Sequence, residues 1–235
     1  MILKAIQTVN SKSIEKTEKS EIFPLGYVIK TNIENFFTKV EEFAFFCFCK
    51  DWWIIEFSML FQYMFNSPYK IMKTKHADED DFVYGEISIK TICEILRDIE
   101  ACREDIFIDL GSGRGYAVFG AYLSGINNSK GIEFVKEFTD RALKTKSALK
   151  TDKIEFLNED FTKSDLSSAT VIFIAGTTME KSTIKKVACR ISEIDHPVKV
   201  ISLSRELKGN KFKTIFSKDY RFSWGKSLVY YQIKE

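Results

Sequence analysis

The spacing of apolar positions changes several times along the chain and predicts the order of its elements. Short apolar runs predict strands at 106–110, 129–133, 154–157, 170–175 and 198–203. Apolar residues that recur every three or four positions predict helices at 89–99, 113–125, 136–149 and 184–194. Strands that alternate with helices of this length indicate a parallel, doubly wound α/β sheet.

The last part of the chain departs from this alternation. Residues 212–216 and 228–233 predict two more strands, and the polar, aromatic loop between them leaves no room for a crossover helix. Two strands connected in this way pair antiparallel. The sequence therefore predicts a seven-stranded, Rossmann-like sheet that ends in a C-terminal antiparallel hairpin.

Upstream of the sheet the apolar positions again have helical spacing. A capping pair at 31–32 (Thr-Asn) precedes an apolar stripe at 36–47, and a second stretch at 51–65 is apolar nearly all round. We interpret residues 1–80 as an N-terminal helical extension and residues 81–235 as the domain that contains the sheet. The extension is expected to cap the sheet; a homodimer face and a lid over the substrate are the alternatives.

Composition narrows the class of protein. The chain has 235 residues, 45% of them hydrophobic and 29% charged, which is typical of a water-soluble globular protein. A net charge of +2 does not indicate nucleic acid or an anionic membrane as the main partner. Five cysteines without a Cys-x-x-Cys pair and only two histidines argue against a metal site. We expect a cytoplasmic protein with no membrane span and no metal.

The first strand leads into a glycine-rich turn that carries an acid, Asp109-Leu110-Gly111-Ser112-Gly113-Arg114-Gly115. Its glycines allow the backbone to turn sharply and to approach a ligand closely. The spacing is Gly-x-Gly-x-Gly, and Tyr116 stands where a dinucleotide-binding turn has its third glycine. A carboxylate is poorly placed beside a pyrophosphate. It suits a ligand with an ammonium and a sulfonium, such as S-adenosylmethionine.

Two further acids follow the next two predicted strands. Glu133 comes about one helix and one strand after Asp109, where an acid can accept hydrogen bonds from both ribose hydroxyls. Asp160 follows the third strand, where it can bind the adenine amino group while Phe161 offers an apolar surface. Each acid alone is more often an ordinary surface residue. Three acids at three successive strand ends indicate a nucleoside site.

Four segments together resemble a known family: Tyr84-Gly85-Glu86, Asp109 to Gly115, Gly131-Ile132-Glu133 and Asp160-Phe161. They resemble class I S-adenosylmethionine-dependent methyltransferases. Within that class they are most similar to the disruptor-of-telomeric-silencing type, the non-SET lysine methyltransferases, and to its small prokaryotic relatives. The segment at 223–231 is similar to the closing hairpin of that group, so the resemblance covers roughly residues 82–235.

The resemblance implies S-adenosylmethionine as cofactor and a role for each matching residue. Tyr84, Gly85 and Glu86 would form a loop over the methionine end of the cofactor. The residues that would hold its amino and carboxylate groups are Asp109, Gly111, Ser112, Gly113 and Gly115. Glu133 would hold the ribose, Phe134 would belong to the same cofactor site, and Asp160 with Phe161 would hold the adenine. Trp224 and Tyr230 match positions beside the lysine channel, although plain hairpin packing explains them equally well.

The expected reaction is in-line transfer of the methyl group to a lysine amine of a protein substrate, and Thr177 could accept a hydrogen bond from that amine. Ile87 stands where relatives often have threonine or serine, and 175–178 (Ala-Gly-Thr-Thr) lacks their asparagine. These departures favour a prokaryotic relative that acts on another protein over a nucleosomal enzyme. The alternatives are a methyltransferase of RNA or a small molecule, and a non-catalytic nucleoside-binding subunit.

Overall fold

The computed structural model describes residues 25–65, 85, 87–177 and 179–235, without the side chains of 25–35 and 65. The helices in this part are α1 (Leu25–Phe46), α2 (Lys50–Phe65), α3 (Ile89–Asp98), α4 (Tyr116–Leu123), α5 (Lys136–Leu149) and α6 (Lys181–Ser192). The strands are β1 (Ile106–Leu110), β2 (Asn128–Glu133), β3 (Ile154–Asn158), β4 (Val171–Ile174), β5 (Val198–Leu203), β6 (Phe212–Phe222) and β7 (Gly225–Lys234).

The seven strands form one sheet in the order β3-β2-β1-β4-β5-β7-β6. Strands β1 to β5 are parallel, and β7 pairs antiparallel with both β5 and β6. The predicted sheet and its closing hairpin are confirmed. The strand order reverses between β1 and β4, and the crevice beyond the carboxyl ends of such strands is where α/β sheets bind ligands.

The hairpin is longer than the sequence predicts. The loop expected between 216 and 228 is instead strand on both sides of a two-residue turn, Ser223-Trp224. Tyr220 and Phe222 are buried and the intervening Arg221 is exposed, which is the alternation of a half-buried strand. The polar residues among them had suggested a loop.

The first helix also differs from its predicted start. Helix α1 begins at Leu25, so the capping pair at 31–32 lies inside it. Helix α3 has a side-chain cap, because the Ser88 hydroxyl accepts a hydrogen bond from the Thr91 N–H (3.1 Å). This cap fixes the end of α3 nearer the loop that contains Gly85.

Apolar cores lie on the two faces of the sheet. Helix α6 covers one face, where Val187 and Ile191 pack against the strands. Helices α2 to α5 cover the other face, and Ile55 and Met59 of α2 share its core with Phe119 of α4. Helix α2 is therefore part of the same packed core as the sheet. None of the described helices is long and apolar enough to cross a membrane.

Helices α3 and α4 approach closely at Gly120. A methyl group there would lie 1.7 Å from Cγ2 of the fully buried Ile92. We expect Gly120→Ala to destabilise the protein, because overpacking costs ~1–3 kcal/mol and exceeds the ~1 kcal/mol that alanine gains over glycine in a helix. Thermal unfolding checks this, at about 2–4 °C in Tm per kcal/mol.

The control for this prediction is the double variant. Ile92→Ala alone leaves a void at a cost of ~2–5 kcal/mol. Combined with Gly120→Ala it should cost less than the sum of the single changes, since each relieves the defect of the other. Additive losses would show that the contact does not limit the packing of α3 on α4.

Candidate active site

A cavity of about 650 Å³ opens at the carboxyl ends of the parallel strands. Acids and bare glycine backbone line one end, and apolar side chains from β4, β5 and the hairpin line the other. The residues of the acidic end are Asp109, Gly111, Ser112, Gly113, Glu133, Phe134, Asp160 and Phe161. The residues of the apolar end include Gly85, Ile87, Phe173, Ala175, Thr177, Leu203 and Trp224.

The glycine-rich turn between β1 and α4 has a backbone that only glycine adopts readily. The φ angles of Gly111, Gly113 and Gly115 are 87°, 53° and 94°. A methyl group on Gly115 would also come within 2.5 Å of the Phe156 ring, so the turn packs closely onto β3. Gly111 and Gly113 therefore line the cavity with main-chain atoms alone.

The carboxylate of Glu133 ties this turn to the end of β2. Its Oε2 accepts a hydrogen bond from the Gly113 N–H (2.7 Å), and its Oε1 accepts one from the Val135 N–H (2.7 Å). Each carboxylate oxygen has more than one lone pair, so both can accept a further bond from a ligand hydroxyl. Glu133 therefore both shapes the turn and faces the cavity.

Asp109 lies beside Glu133, at the end of the neighbouring strand. Its side chain is buried, and within the described part of the chain its carboxylate has no hydrogen-bond or ion-pair partner. Burial, and secondly the charge of Glu133, raise the pKa of the Asp109 carboxyl well above its usual range. A positively charged group in the cavity would relieve both effects.

The segment after β3 contributes the third acid. The Asp160 carboxylate accepts hydrogen bonds from the Thr162 hydroxyl (2.7 Å) and N–H (3.0 Å), and it pairs with Lys163 (3.1 Å). The Thr162 hydroxyl bond, opposed in part by desolvation and helped by Lys163, lowers the pKa of Asp160. This acid is ionised and held at the rim of the cavity, next to the ring of Phe161.

The apolar end of the cavity is built on Trp224, in the hairpin turn. Its indole stacks on Phe222 (ring centroids 4.9 Å apart, 8° between planes) and donates from Nε1 to the Ser227 hydroxyl (3.0 Å). A methyl group on Gly85 would lie 2.5 Å from the indole, so the Gly85 backbone rests directly on this ring. Nearby, the hydroxyls of Thr177 and Ser204 are 3.1 Å apart and hydrogen-bonded.

Two of the predicted site residues do not line the cavity. Gly115 is the N-cap residue immediately before α4, and it packs against Phe156. Tyr230 lies opposite Ser202 of β5, and successive residues of a strand point to opposite faces. Its neighbour Tyr231 is the one buried in the core on the Trp224 side of the sheet. Tyr84 and Glu86 lie outside the described residues.

Several residues that line or support the site have no role assigned from the sequence. The Asn158 amide donates to the carbonyls of both Glu133 and Phe134 (2.9 Å each), and so fixes the backbone on which the second acid stands. Arg114 is buried and also lines the cavity. Asn158 could have been found from the sequence, because it is the polar residue that ends an apolar strand. The burial of Arg114 could not, because Arg114 contacts Met59, which is distant in sequence. The remaining unpredicted lining residues include Tyr116, Phe138, Met179, Thr183 and Lys186.

The residues present fit S-adenosylmethionine. The buried Asp109 carboxylate is compatible with a cation, and the Glu133 carboxylate is compatible with a pair of ribose hydroxyls. Asp160 and Phe161 together are compatible with an adenine. The sheet order, the closing antiparallel hairpin and this cavity define a class I S-adenosylmethionine-dependent methyltransferase.

Comparisons with known proteins support this class and identify the family. The family model described as histone methylation protein DOT1 matches residues 69–227. This match covers more than half of the chain, and the chain belongs to the DOT1 family. No curated protein sequence matches it.

Solved structures share the fold at low sequence identity. An RNA methyltransferase from Salinibacter ruber, in complex with S-adenosyl-L-homocysteine, has a TM-score of 0.52 and 24% identity, over 62% of this chain and 92% of the other. TrmN from Thermus thermophilus has a TM-score of 0.57 and 13% identity, over 66% and 52%. The putative methyltransferase yhhF from Escherichia coli has a TM-score of 0.54 and 11% identity, over 62% and 86%.

The raised pKa of Asp109 leads to a prediction in which stability and binding change in opposite directions. An acid whose pKa is raised by folding favours the folded state at low pH, and that contribution is lost as pH rises through the raised pKa. At pH 7.5, Asp109→Asn should therefore raise the Tm of the cofactor-free protein, and the gain should vanish towards pH 4. S-adenosylhomocysteine should bind about 10–100-fold more weakly, since a charge-assisted hydrogen bond is worth ~1.5–3 kcal/mol.

Thermal unfolding across pH and calorimetric titration measure the two effects. Asp140→Asn is the matched control, because Asp140 is a surface acid on α5 paired with Lys136. The control should change neither quantity appreciably. A lower Tm together with unchanged affinity in Asp109→Asn would contradict the assignment of Asp109 to a cation.

Proposed function

We propose that this protein transfers a methyl group from S-adenosylmethionine to the side-chain amine of a lysine in another protein. The family description supports a protein substrate. The observation that carries the proposal is the apolar, aromatic end of the cavity, walled by Trp224, Leu203 and Phe173. An apolar space suits the aliphatic stem of a lysine.

In this proposal the acidic end holds the cofactor. Asp109 and the backbone of the glycine turn take the amino and carboxylate groups, Glu133 takes the ribose, and Asp160 with Phe161 takes the adenine. The bound cofactor supplies a methyl group already activated by its sulfonium. The protein then has mainly to align the amine with that methyl group.

The amine must lose its proton before it attacks, because the pKa of a free lysine is ~10.4. Apolar surroundings disfavour the ammonium and lower that pKa. In this proposal the Thr177 hydroxyl, which is hydrogen-bonded to Ser204, accepts a hydrogen bond from the amine and orients its lone pair. Ser204 is held at a φ of 63°, an uncommon conformation for a residue other than glycine, which is often found at functional sites.

The test is transfer of labelled methyl groups from S-adenosylmethionine into a cell lysate of the source organism. We expect label that a protease releases, a nuclease does not, and acid hydrolysis recovers as methyl-lysine. Glu133→Ala should abolish transfer with loss of cofactor binding. Label in nuclease-sensitive material would instead identify RNA as the substrate, and cofactor binding without transfer to any fraction would identify a non-catalytic subunit.

The role of Thr177 has its own measurement once a substrate protein is in hand. Thr177→Val keeps the shape and removes the hydroxyl, so kcat should fall about 3–10-fold while the affinity for S-adenosylhomocysteine stays the same, given ~0.5–1.5 kcal/mol per hydrogen bond. Ser147→Ala is the control, since the Ser147 hydroxyl bonds its own helix at Leu143. An unchanged kcat would remove Thr177 from the mechanism.

We also propose that the protein forms a homodimer through α1 and α2. Most of the large apolar side chains exposed on the described surface belong to these helices or to the turn between them, and we term them together the aromatic face. Its members are Phe36, Phe37, Val40, Phe43, Phe45, Phe48, Phe57, Leu60, Phe61, Tyr63 and Met64. Phe48 is fully exposed and Met64 is 74% exposed. An open groove of about 730 Å³ lies on this face, between Phe48, Trp53 and Phe61.

The size of the aromatic face fits a second copy of the chain. With roughly 100 Å² exposed on each side chain, the face offers on the order of 1,000 Å², against ~800 Å² per partner in a standard interface. A twofold dimer uses the same patch twice and needs no other complementary surface. An anionic lipid surface fits less well, because Lys39 already pairs with Glu42 (2.9 Å) and Glu56 (3.3 Å).

Sedimentation from about 1 to 100 μM tests the dimer. We expect a dimer for the wild type and a monomer for the double variant Phe57→Lys/Phe61→Lys. Ile215→Lys, at an exposed apolar residue of β6, is the matched control and should stay dimeric. A wild type that is monomeric at 100 μM, or that floats with anionic vesicles as a monomer, would contradict the proposal.

We propose a cytoplasmic location as well. The five cysteines are all free in the structure, and thiols stay reduced in the cytoplasm.

A further inference from the structure

Arg114 is a buried cation in the middle of the glycine-rich turn. Only 2% of it is exposed, and it stands between two residues with left-handed backbone, Gly113 and Gly115. Its guanidinium lies over the ring of Tyr116, 5.5 Å from the ring centroid. Burying an arginine is costly unless its donors are satisfied, so the bonds that it makes indicate what it holds in place.

One of these bonds reaches the N-terminal helices. Arg114 Nη1 donates to the main-chain carbonyl of Met59 (3.3 Å), a buried residue near the middle of α2. This contact joins the turn to a helix 55 positions earlier in the chain. Carbonyl groups in the interior of a helix already accept hydrogen bonds from N–H groups of the same helix. The Met59 carbonyl therefore does not need Arg114 as a capping partner, and the bond attaches the turn to α2.

Helix α2 is itself fixed to the two helices that follow β1 and β2. The Tyr122 hydroxyl of α4 donates to Asp51 (2.6 Å). The Ser58 and Thr145 hydroxyls are bonded (2.8 Å), which joins α2 to α5. The Gln62 amide donates to the Thr145 hydroxyl (3.0 Å) and to the carbonyl of Arg141 (3.3 Å), also on α5. Helix α2 is therefore hydrogen-bonded to both α4 and α5, the helices that follow the strands carrying Asp109 and Glu133.

The turn receives this support next to the cofactor site. Gly113, adjacent to Arg114, is the residue whose N–H binds Glu133. A continuous series of contacts thus runs from α5 through α2 and Arg114 to the backbone that faces the cavity.

We propose that Arg114 is a positioning residue which holds the glycine-rich turn in its cofactor-binding geometry from helix α2, so that α2 supports the cofactor site from outside the cavity. A loosened α2 weakens cofactor binding although α2 itself is remote from the acids. This inference concerns the cofactor alone and does not depend on the proposed lysine substrate.

A double-mutant cycle between the turn and the α2–α5 junction tests the proposal. The affinity for S-adenosylhomocysteine is measured by calorimetry on the full chain. Arg114→Met should raise Kd at least 10-fold, and Gln62→Ala, which breaks a contact outside the cavity, should raise it about 3-fold or more. The double variant should show less than the product of the two changes, because both act on one connection.

The alternative is that Arg114 touches the cofactor directly. In that case Gln62→Ala leaves Kd unchanged, and this outcome overturns the proposal. Ser147→Ala is the control on α5 and should leave Kd at the wild-type value. If Arg114→Met does not fold, Gln62→Ala and Ser58→Ala still test the proposal, because the proposal predicts that both variants bind S-adenosylhomocysteine more weakly than the wild type.

Hydrogen exchange provides a readout that a direct contact would not change. In the cofactor-free protein, amides at 111–117 should exchange faster in Gln62→Ala than in the wild type, and the Ser147→Ala control should match the wild type. Equal exchange in all three proteins would show that α2 does not hold the turn.

Discussion

Two acids side by side at the ends of adjacent strands impose the constraint on which this site depends. Asp109 pairs in register with Gly131, so Glu133 follows it on the neighbouring strand at short range. Glu133 is compensated by two main-chain N–H groups, and those bonds shape the glycine turn. Asp109 is compensated by none within the described residues, and its pKa rises. The turn geometry follows from the bonds of Glu133, and the raised pKa of Asp109 follows from its burial beside Glu133.

The parts that the sequence predicts well are those that local chemistry determines. β1, its glycine turn and the following helix have signals within a dozen residues, and the three strand-end acids are found because parallel strands all end at one edge. Helix α5 has its predicted bounds because Phe138, Ala142 and Leu149 repeat on one face. The hairpin strands were predicted too short because Lys218, Asp219 and Arg221 obscure the alternation of Tyr220 and Phe222.

The parts that could not be predicted depend on register and on distant contacts. Whether Tyr230 or Tyr231 faces the core is decided by a shift of one residue in strand pairing, which the sequence does not reveal. The bond from Arg114 to Met59 joins segments that share no pattern. The boundary proposed at residues 80 and 81 stays a prediction, and the buried side chains of α2 are in the same core as the sheet.

A site that binds its ligand only in the folded chain also affects how often that chain unfolds. A ligand that binds only the folded chain adds stability by mass action, ~2.7 kcal/mol at a concentration 100 times its Kd. The empty chain carries the cost of burying the Asp109 carboxyl beside Glu133. The fraction of molecules that are unfolded, and therefore open to proteolysis, is smaller in the liganded protein than in the empty one.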